Sequence, residues 1–243
     1  MNAITQYHHA VAAQLAAAFE TQAAALSTAA GIVADALAVP HWIYFAGTGH
    51  SHLLALEVFY RAGGLVRAVP LLDEDLMLHV SASRSTDKER ESGRALALLE
   101  GYGVGAGDVL FVISNSGRNA VPVELALEGK RRGAQVIALT SLRHASAHPS
   151  RHPSGRRLHE VADLVLDNGG VKGDAVVTVA PGLSVGATST VVGAALLQGV
   201  LAEAVARARG AGVEVEVYRS SNGGGEAANQ QFLAAYRGRI RHL

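Results

Sequence analysis

Hydroxyl-bearing residues directly follow three apolar stretches of this chain, and residues of these types bind anions. The clearest example is the segment Ser114–Asn–Ser–Gly–Arg–Asn119, which stands between an apolar run and a helical pattern. Serine hydroxyls and free backbone N–H groups at the start of a helix bind phosphate, helped by the positive end of the helix dipole. The segment lacks lysine, which distinguishes it from a P-loop. It therefore predicts a phosphate site that uses neutral donors.

The chain contains the same arrangement twice more. Gly47–Thr–Gly–His–Ser51 follows a second apolar run, and Thr140–Ser141 follows a third. Tight strand-to-helix packing also explains glycine in such a turn, but three hydroxyl-bearing turns at strand ends favour one anion held from several sides. The predicted phosphate-binding residues are Gly47, Gly49, His50, Ser51, Ser114, Asn115, Ser116, Gly117, Asn119, Thr140 and Ser141.

The candidates for acid–base chemistry are Glu57, His79 and His152. Moving a proton between neighbouring sugar carbons requires a base, and glutamate or histidine suits that role. Glu57 lies six residues beyond Ser51 on a predicted helix, so it can face the same cleft. The alternative is an ion pair between Glu57 and Arg61 at i+4.

Arg118 and several histidines lie near these turns in the sequence, and each allows more than one interpretation. Arg118 could form charge-assisted hydrogen bonds with a phosphate or a sugar carboxylate, or it could point to solvent. The histidines and Glu57 could hold a divalent metal, but no H-x-x-x-H pair on a predicted helix supports this. No metal and no other cofactor is therefore predicted.

Five apolar runs predict the strands that position these residues, near residues 42–46, 65–70, 108–114, 135–139 and 162–166. Apolar strands that alternate with helices form parallel sheets covered on both faces. We therefore predict an α/β fold, a three-layer α/β/α sandwich with a mostly parallel five-stranded sheet and flanking N- and C-terminal helices. Such a sheet binds ligands outside the carboxyl ends of its strands, where the hydroxyl-bearing turns lie.

The remaining segments show weaker patterns. Helices are predicted at residues 52–62, 184–209 and 226–239, together with an N-terminal helical pair that breaks at Gly31. Residues 71–91 are rich in charge, and we interpret them as a loop with a short helix, either a solvated excursion or a lid or interface arm. The glycine-rich residues 168–182 are predicted to form a loop.

Composition limits the class of protein. The chain has 243 residues, 49% of them hydrophobic and 17% charged, which is inconsistent with disorder. Its 21 basic and 21 acidic residues give no net charge, which argues against nucleic acid as a partner. There is no cysteine, so disulfides and thiolate metal sites are excluded. The N-terminus does not resemble a secretory signal, and no stretch is a convincing membrane span, so a cytoplasmic protein without a membrane partner is expected.

The expected organisation is a single domain over residues 1–243, with a core at 35–209, an N-terminal helical arm at 1–34 and a C-terminal loop and helix at 210–243. The alanine-rich N-terminal helices and the long helix at 184–209 carry more apolar surface than one sheet covers. We therefore expect a homodimer or homotetramer.

The three hydroxyl-bearing segments resemble those of the SIS (sugar isomerase) domain family, over roughly residues 35–209. Within the family, the chain is most similar to bacterial proteins that resemble phosphoheptose isomerases. This resemblance implies a phosphosugar ligand whose phosphate contacts Ser51, Ser114, Ser116 and Asn119, with Thr140 or Ser141 nearby. It also implies a base on the first helix, but the matching position here is Arg61, and Glu57 matches a histidine that is a metal ligand in those enzymes.

Two classes of function follow from the resemblance. One is an enzyme that acts on a sugar phosphate, most simply an aldose–ketose isomerase, with an amino-sugar-phosphate deaminase or an ether lyase as other possibilities. The second is a non-catalytic phosphosugar sensor. Regulators of this family carry a helix-turn-helix domain, whereas only about 35 residues, alanine-rich and not basic, precede the first predicted strand here. The sequence therefore favours the enzyme.

Overall fold

The computed structural model describes all 243 residues, and a five-stranded parallel sheet stands at its centre. The strands are β1 (Ile43–Gly47), β2 (Ala68–Leu71), β3 (Val109–Ile113), β4 (Gln135–Thr140) and β5 (Leu164–Asp167). Their order is β2-β1-β3-β4-β5, and every neighbouring pair is parallel. This confirms the predicted α/β fold.

Helices cover both faces of the sheet. They are α1 (Ala3–Thr21), α2 (Ala23–Ala38), α3 (His52–Glu57), α4 (Ala82–Lys88), α5 (Arg94–Tyr102), α6 (Ala120–Arg131), α7 (Leu142–Ala145), α8 (Ser189–Gly210) and α9 (Glu226–Tyr236). Because successive strand residues point to opposite faces, Ile43 and Phe45 join a core with α2, α3 and α8, while Tyr44 and Ala46 join a core with α5 and α6. The molecule thus has three layers, with helices at both termini.

Helices α2 and α8 pack together in the main apolar core. Helix α2 packs on α8 in the main apolar core, so the predicted boundary at residue 35 falls inside a core helix. Helix α8 is long and apolar enough, by length and composition alone, to cross a membrane. In this fold it packs against α2 and α3 as a core helix.

The strand order fixes where the loops meet. β2 lies on one side of β1, and the next strand in the chain, β3, lies on the other side. Gly47 at the end of β1 pairs in register with Ile113 at the end of β3. The turns that follow these strands therefore start side by side, at the switch point where parallel α/β sheets bind ligands.

The largest difference from the predicted elements is an antiparallel hairpin, β6 (Ala175–Ala180) with β7 (Leu183–Ala187). The prediction of a loop and then a helix from residue 184 is wrong over this range. Gly182 has a φ of +73°, which fits the tight turn, and α8 begins only at Ser189. Asp174 marks the start of the hairpin and accepts hydrogen bonds from the backbone N–H groups of Thr188 and Ser189.

Two helix boundaries also differ. Helix α3 ends at Glu57 and not near residue 62, because Tyr60 adopts a φ of +43° and Gly63 then pairs with the backbone of Tyr218. The N-terminal pair divides at Gln22, whose side-chain oxygen accepts the backbone N–H of Asp167 in β5. The predicted break at Gly31 is wrong, since α2 continues through that residue.

Candidate functional site

A small cleft of about 20 Å³ opens at the carboxyl ends of the strands. It is lined by His50, Ser51, Leu54, Ile113, Asn115, Leu139, Asn168, Ser189 and Thr190. The turns after β1, β3 and β5 therefore meet the start of α8 here. His50, Ser51 and Asn115 belong to the predicted set. Ser189 and Thr190 were missed because the hairpin that leads into α8 was not predicted, and Asn168, which directly follows β5, was assigned to a glycine-rich loop.

The turn after β3 presents unused hydrogen-bond donors. The backbone N–H groups of Ser116, Arg118 and Asn119 donate to no acceptor in the protein, and the Ser116 hydroxyl also has no partner. Gly117 adopts a φ of +55° and donates its N–H to the Ser114 hydroxyl at 3.1 Å. Asn119 is the N-cap of α6, whose dipole places partial positive charge at this end. These donors form a cradle suited to an anion.

The turn after β1 is held tightly. A β-carbon on Gly47 would stand 2.5 Å from the carbonyl oxygen of Ser51, so only glycine fits there. Gly49 has a φ of +56°, and Ser51 donates its N–H to the Thr48 carbonyl at 3.0 Å. This geometry leaves the Ser51 hydroxyl without a protein partner at the edge of the cleft.

The turn after β4 contributes differently. The Thr140 hydroxyl donates to the carbonyl of Asn115 at 3.3 Å. The Ser141 hydroxyl donates to the carbonyl of Gly170 at 2.7 Å and accepts the N–H of His144 at 3.0 Å. Both side chains are fully buried. They fix the turns around the cleft, and the Ser141 hydroxyl has no hydrogen left for a ligand.

Glu89 joins the turns after β1 and β3. One carboxylate oxygen accepts the hydroxyl of Thr48 at 2.7 Å, and the other accepts the side-chain N–H of Asn119 at 2.5 Å. Burial raises the pKa of this carboxyl, while the Thr48 hydrogen bond and the charges of Arg90 and Arg151 act in the opposite direction. Glu89 does not line the small cleft, but a partly buried carboxylate with a raised pKa beside the cradle suits proton transfer.

Sequence reasoning missed Glu89. It lies in residues 71–91, where a solvated excursion and a lid or interface arm were both considered. Its partners Thr48 and Asn119 are 41 and 30 residues away. The only local signal was the position of this charged segment after a strand end.

The three predicted catalytic residues do not lie together. Glu57 pairs with Arg61 and is 3.4 Å from the amide of Gln198, so the i+4 ion pair that was the alternative is present. His79 lines a separate cavity of about 740 Å³. His152 lies in the loop after α7, with its Nδ1 2.7 Å from the Ser154 hydroxyl. None of the three lines the small cleft, and no group of three or more His, Asp or Glu side chains is arranged to hold a metal ion.

Comparisons with known proteins agree with the fold. Residues 6–141 match the family described as the SIS domain. A UPF0309 protein of Geobacillus thermodenitrificans is 44% identical over 98% of this chain and 96% of its own length. A UPF0309 protein of Halalkalibacterium halodurans is 43% identical over 98% of this chain and 96% of its own.

Solved structures show the same fold at lower sequence identity. A phosphoheptose isomerase of Francisella tularensis has a TM-score of 0.54 and 15% identity, covering 85% of this chain and 100% of that one. Its counterpart from Neisseria gonorrhoeae has a TM-score of 0.52 and 17% identity, covering 84% and 95%. At these identities the likeness concerns the fold alone.

Proposed function

Because this chain belongs to the SIS domain family, we propose that the turns around its small cleft bind a sugar phosphate. The observation that carries the proposal is the cradle after β3, where three backbone N–H groups and the Ser116 hydroxyl have no protein acceptor. The free hydroxyl of Ser51 reaches the same switch point from β1. These donors suit a phosphate, and the polar side chains of Asn168 and Thr190 suit the hydroxyls of a sugar.

The reaction that fits this arrangement is aldose–ketose isomerisation. Glu89 would remove the proton from C2 of the aldose to give an enediolate and return it to C1, while the hydroxyl proton passes from O2 to O1. Glu89 suits this role because its hydrogen bonds to Thr48 and Asn119 fix it beside the cradle and burial raises its pKa. The fold neighbours named as phosphoheptose isomerases are compatible with this chemistry.

The test is a thermal-shift screen of sugar phosphates, followed by NMR of each hit in D₂O. Isomerisation predicts exchange of the C2 proton with solvent and formation of the paired ketose. Binding without exchange would identify a sensor, and release of ammonia or of an ether substituent would identify a deaminase or a lyase. If no sugar phosphate binds, the proposed function is wrong.

Ser116→Ala should raise the dissociation constant for the phosphosugar about ten-fold, because one hydroxyl bond to a charged phosphate is lost. Isothermal titration measures this change, and unchanged melting temperature shows that the fold is intact. Ser220→Ala is the matched control, since Ser220 is exposed on the C-terminal segment, away from the strand ends. Equal binding by both variants would show that the turn after β3 is purely structural.

A further inference from the structure

Arg118 has a guanidinium group without an acceptor. Its side chain donates no hydrogen bond within the protein and forms no ion pair, although its Nε is removed from solvent. Its backbone is fixed, because its carbonyl accepts the N–H of Arg151 at 2.7 Å. A buried N–H group loses its hydrogen bond to water, and no protein group replaces that bond at Nε of Arg118.

Other arginines surround Arg118. Burial lowers the pKa of Arg118, and the positive charges of Arg151, Arg90 and Arg157 lower it further. Arg157 is paired with Glu160 at 3.2 Å, and Arg90 lies 3.9 Å from Asp87.

Arg118 and Arg151 remain without a carboxylate within 4 Å. The guanidinium of Arg151 donates to the side-chain oxygen of Asn119 at 3.0 Å. The two uncompensated arginines are therefore adjacent to the cradle, since Asn119 belongs to it.

The arginines lie outside the set that lines the cleft. That set contains His50 and otherwise only neutral side chains, so the two arginines are a source of positive charge beside the cradle that the cleft lining itself lacks. Glu89 lies next to Arg151, because the side chain of Asn119 is hydrogen-bonded to both. The charges of Arg118, Arg151 and ionised Glu89 sum to +1. A group with one negative charge, such as a carboxylate, neutralises this sum better than a second phosphate dianion does.

We propose that the ligand carries a carboxylate as well as its phosphate, and that Arg118 and Arg151 bind this carboxylate. The substrate class is then a phosphorylated sugar acid. Arginine suits this role because its planar N–H groups pair with the two oxygens of a carboxylate. This inference rests on the proposed binding of a sugar phosphate.

A matched pair of probes tests the inference. 6-Phosphogluconate and glucitol 6-phosphate share an open six-carbon chain and a phosphate on C6. They differ at C1, where 6-phosphogluconate has a carboxylate and glucitol 6-phosphate has a hydroxymethyl group. Isothermal titration should show that the wild-type protein binds 6-phosphogluconate about ten-fold or more tightly than glucitol 6-phosphate. Arg118→Gln should abolish this preference and leave the affinity for glucitol 6-phosphate within about two-fold.

Three results separate the possible failures. No preference in the wild-type protein, or an equal loss for both probes in Arg118→Gln, overturns the carboxylate site while leaving phosphosugar binding in place. If neither probe nor any other sugar phosphate binds, the proposed function itself fails and this inference with it.

Arg151→Gln is a second variant, and it should lose the preference for 6-phosphogluconate in the same way. Arg237→Gln is the control, because Arg237 is exposed and forms no ion pair.

Discussion

At the scale of single residues, two glutamates illustrate what local sequence conveys. Glu57 has its partner Arg61 one helical turn away, so the ion pair between them could be predicted from spacing. Glu89 has its partners in two turns that are distant in sequence, and only the sheet order brings these turns together. The hydroxyl-bearing turns were predictable because each directly follows an apolar strand. The carboxylate between them was not.

Glu89→Gln should lower the rate of C2-proton exchange by about a hundred-fold or more, because the glutamine amide cannot accept the proton. The amide keeps the shape of the side chain and can still pair with Thr48 and Asn119, so ligand binding should change little. Glu57→Gln is the matched control, and its exchange rate should stay near that of the wild-type protein. The reverse pattern would place the base at Glu57, the candidate predicted from its position six residues beyond Ser51.

The pH dependence of exchange gives a second readout of Glu89. The base acts when ionised, so the rate should fall as the pH drops through the pKa of Glu89. Because burial raises this pKa above the ordinary value of 4.5, the midpoint of the fall should lie above pH 4.5. Glu89→Gln should remove this limb from any residual activity, and a midpoint below pH 4.5 would contradict the assignment.

At the scale of elements, β1, β3 and β4 were predictable because their residues are almost all apolar and buried on both faces. The β6–β7 hairpin was not predicted, because most of its residues are exposed and do not form the fully buried apolar run of β1 or β3. The start of α8 depends instead on Asp174, which accepts hydrogen bonds from the N–H of Ser189 at 2.9 Å and from its hydroxyl at 2.5 Å.

Asp174→Ala should lower the free energy of unfolding by about 1–2 kcal/mol, as the loss of a helix cap does. Alanine also tolerates the φ of +63° at this position less well than aspartate. Urea denaturation measures the loss, and Asp174→Asn should lose less because asparagine keeps one acceptor and the same backbone tolerance. Asp87→Ala, at an exposed position on α4, is the control. A change below about 0.5 kcal/mol would mean that α8 starts there without this cap.

At the scale of the whole molecule, the β6–β7 hairpin provides a surface without charged residues. No Asp, Glu, Lys or Arg occurs from Ala175 to Ala202, yet Val179, Leu183 and Val185 on the hairpin are 51%, 55% and 46% exposed. A symmetric dimer buries the same surface of both copies against each other, so a surface charged with one sign would repel itself and an uncharged apolar one does not. This surface therefore suits a second copy of the chain, in line with the homodimer or homotetramer expected from sequence.

Light scattering at micromolar concentration should give a mass at least twice the 25.1 kDa of one chain. Leu183→Glu should shift this mass toward the monomer, because it puts like charges opposite each other in the interface. Leu96→Glu introduces the same charge at an exposed leucine on α5 and should leave the mass unchanged. A wild-type mass of one chain would show that the hairpin is not a self-association surface.

The sources of the site residues have a consequence for how such proteins diverge. The cradle consists of turns locked to the sheet, where even a methyl group on Gly47 would meet the Ser51 carbonyl. Glu89 and Arg151 come from connections that lie outside the sheet, after β2 and after α7. Replacing these two connections would therefore change the proposed base, Glu89, and one of the two proposed carboxylate-binding residues, Arg151, without altering the turns proposed to bind the phosphate. Two relatives with the same cradle can inherit different chemistries.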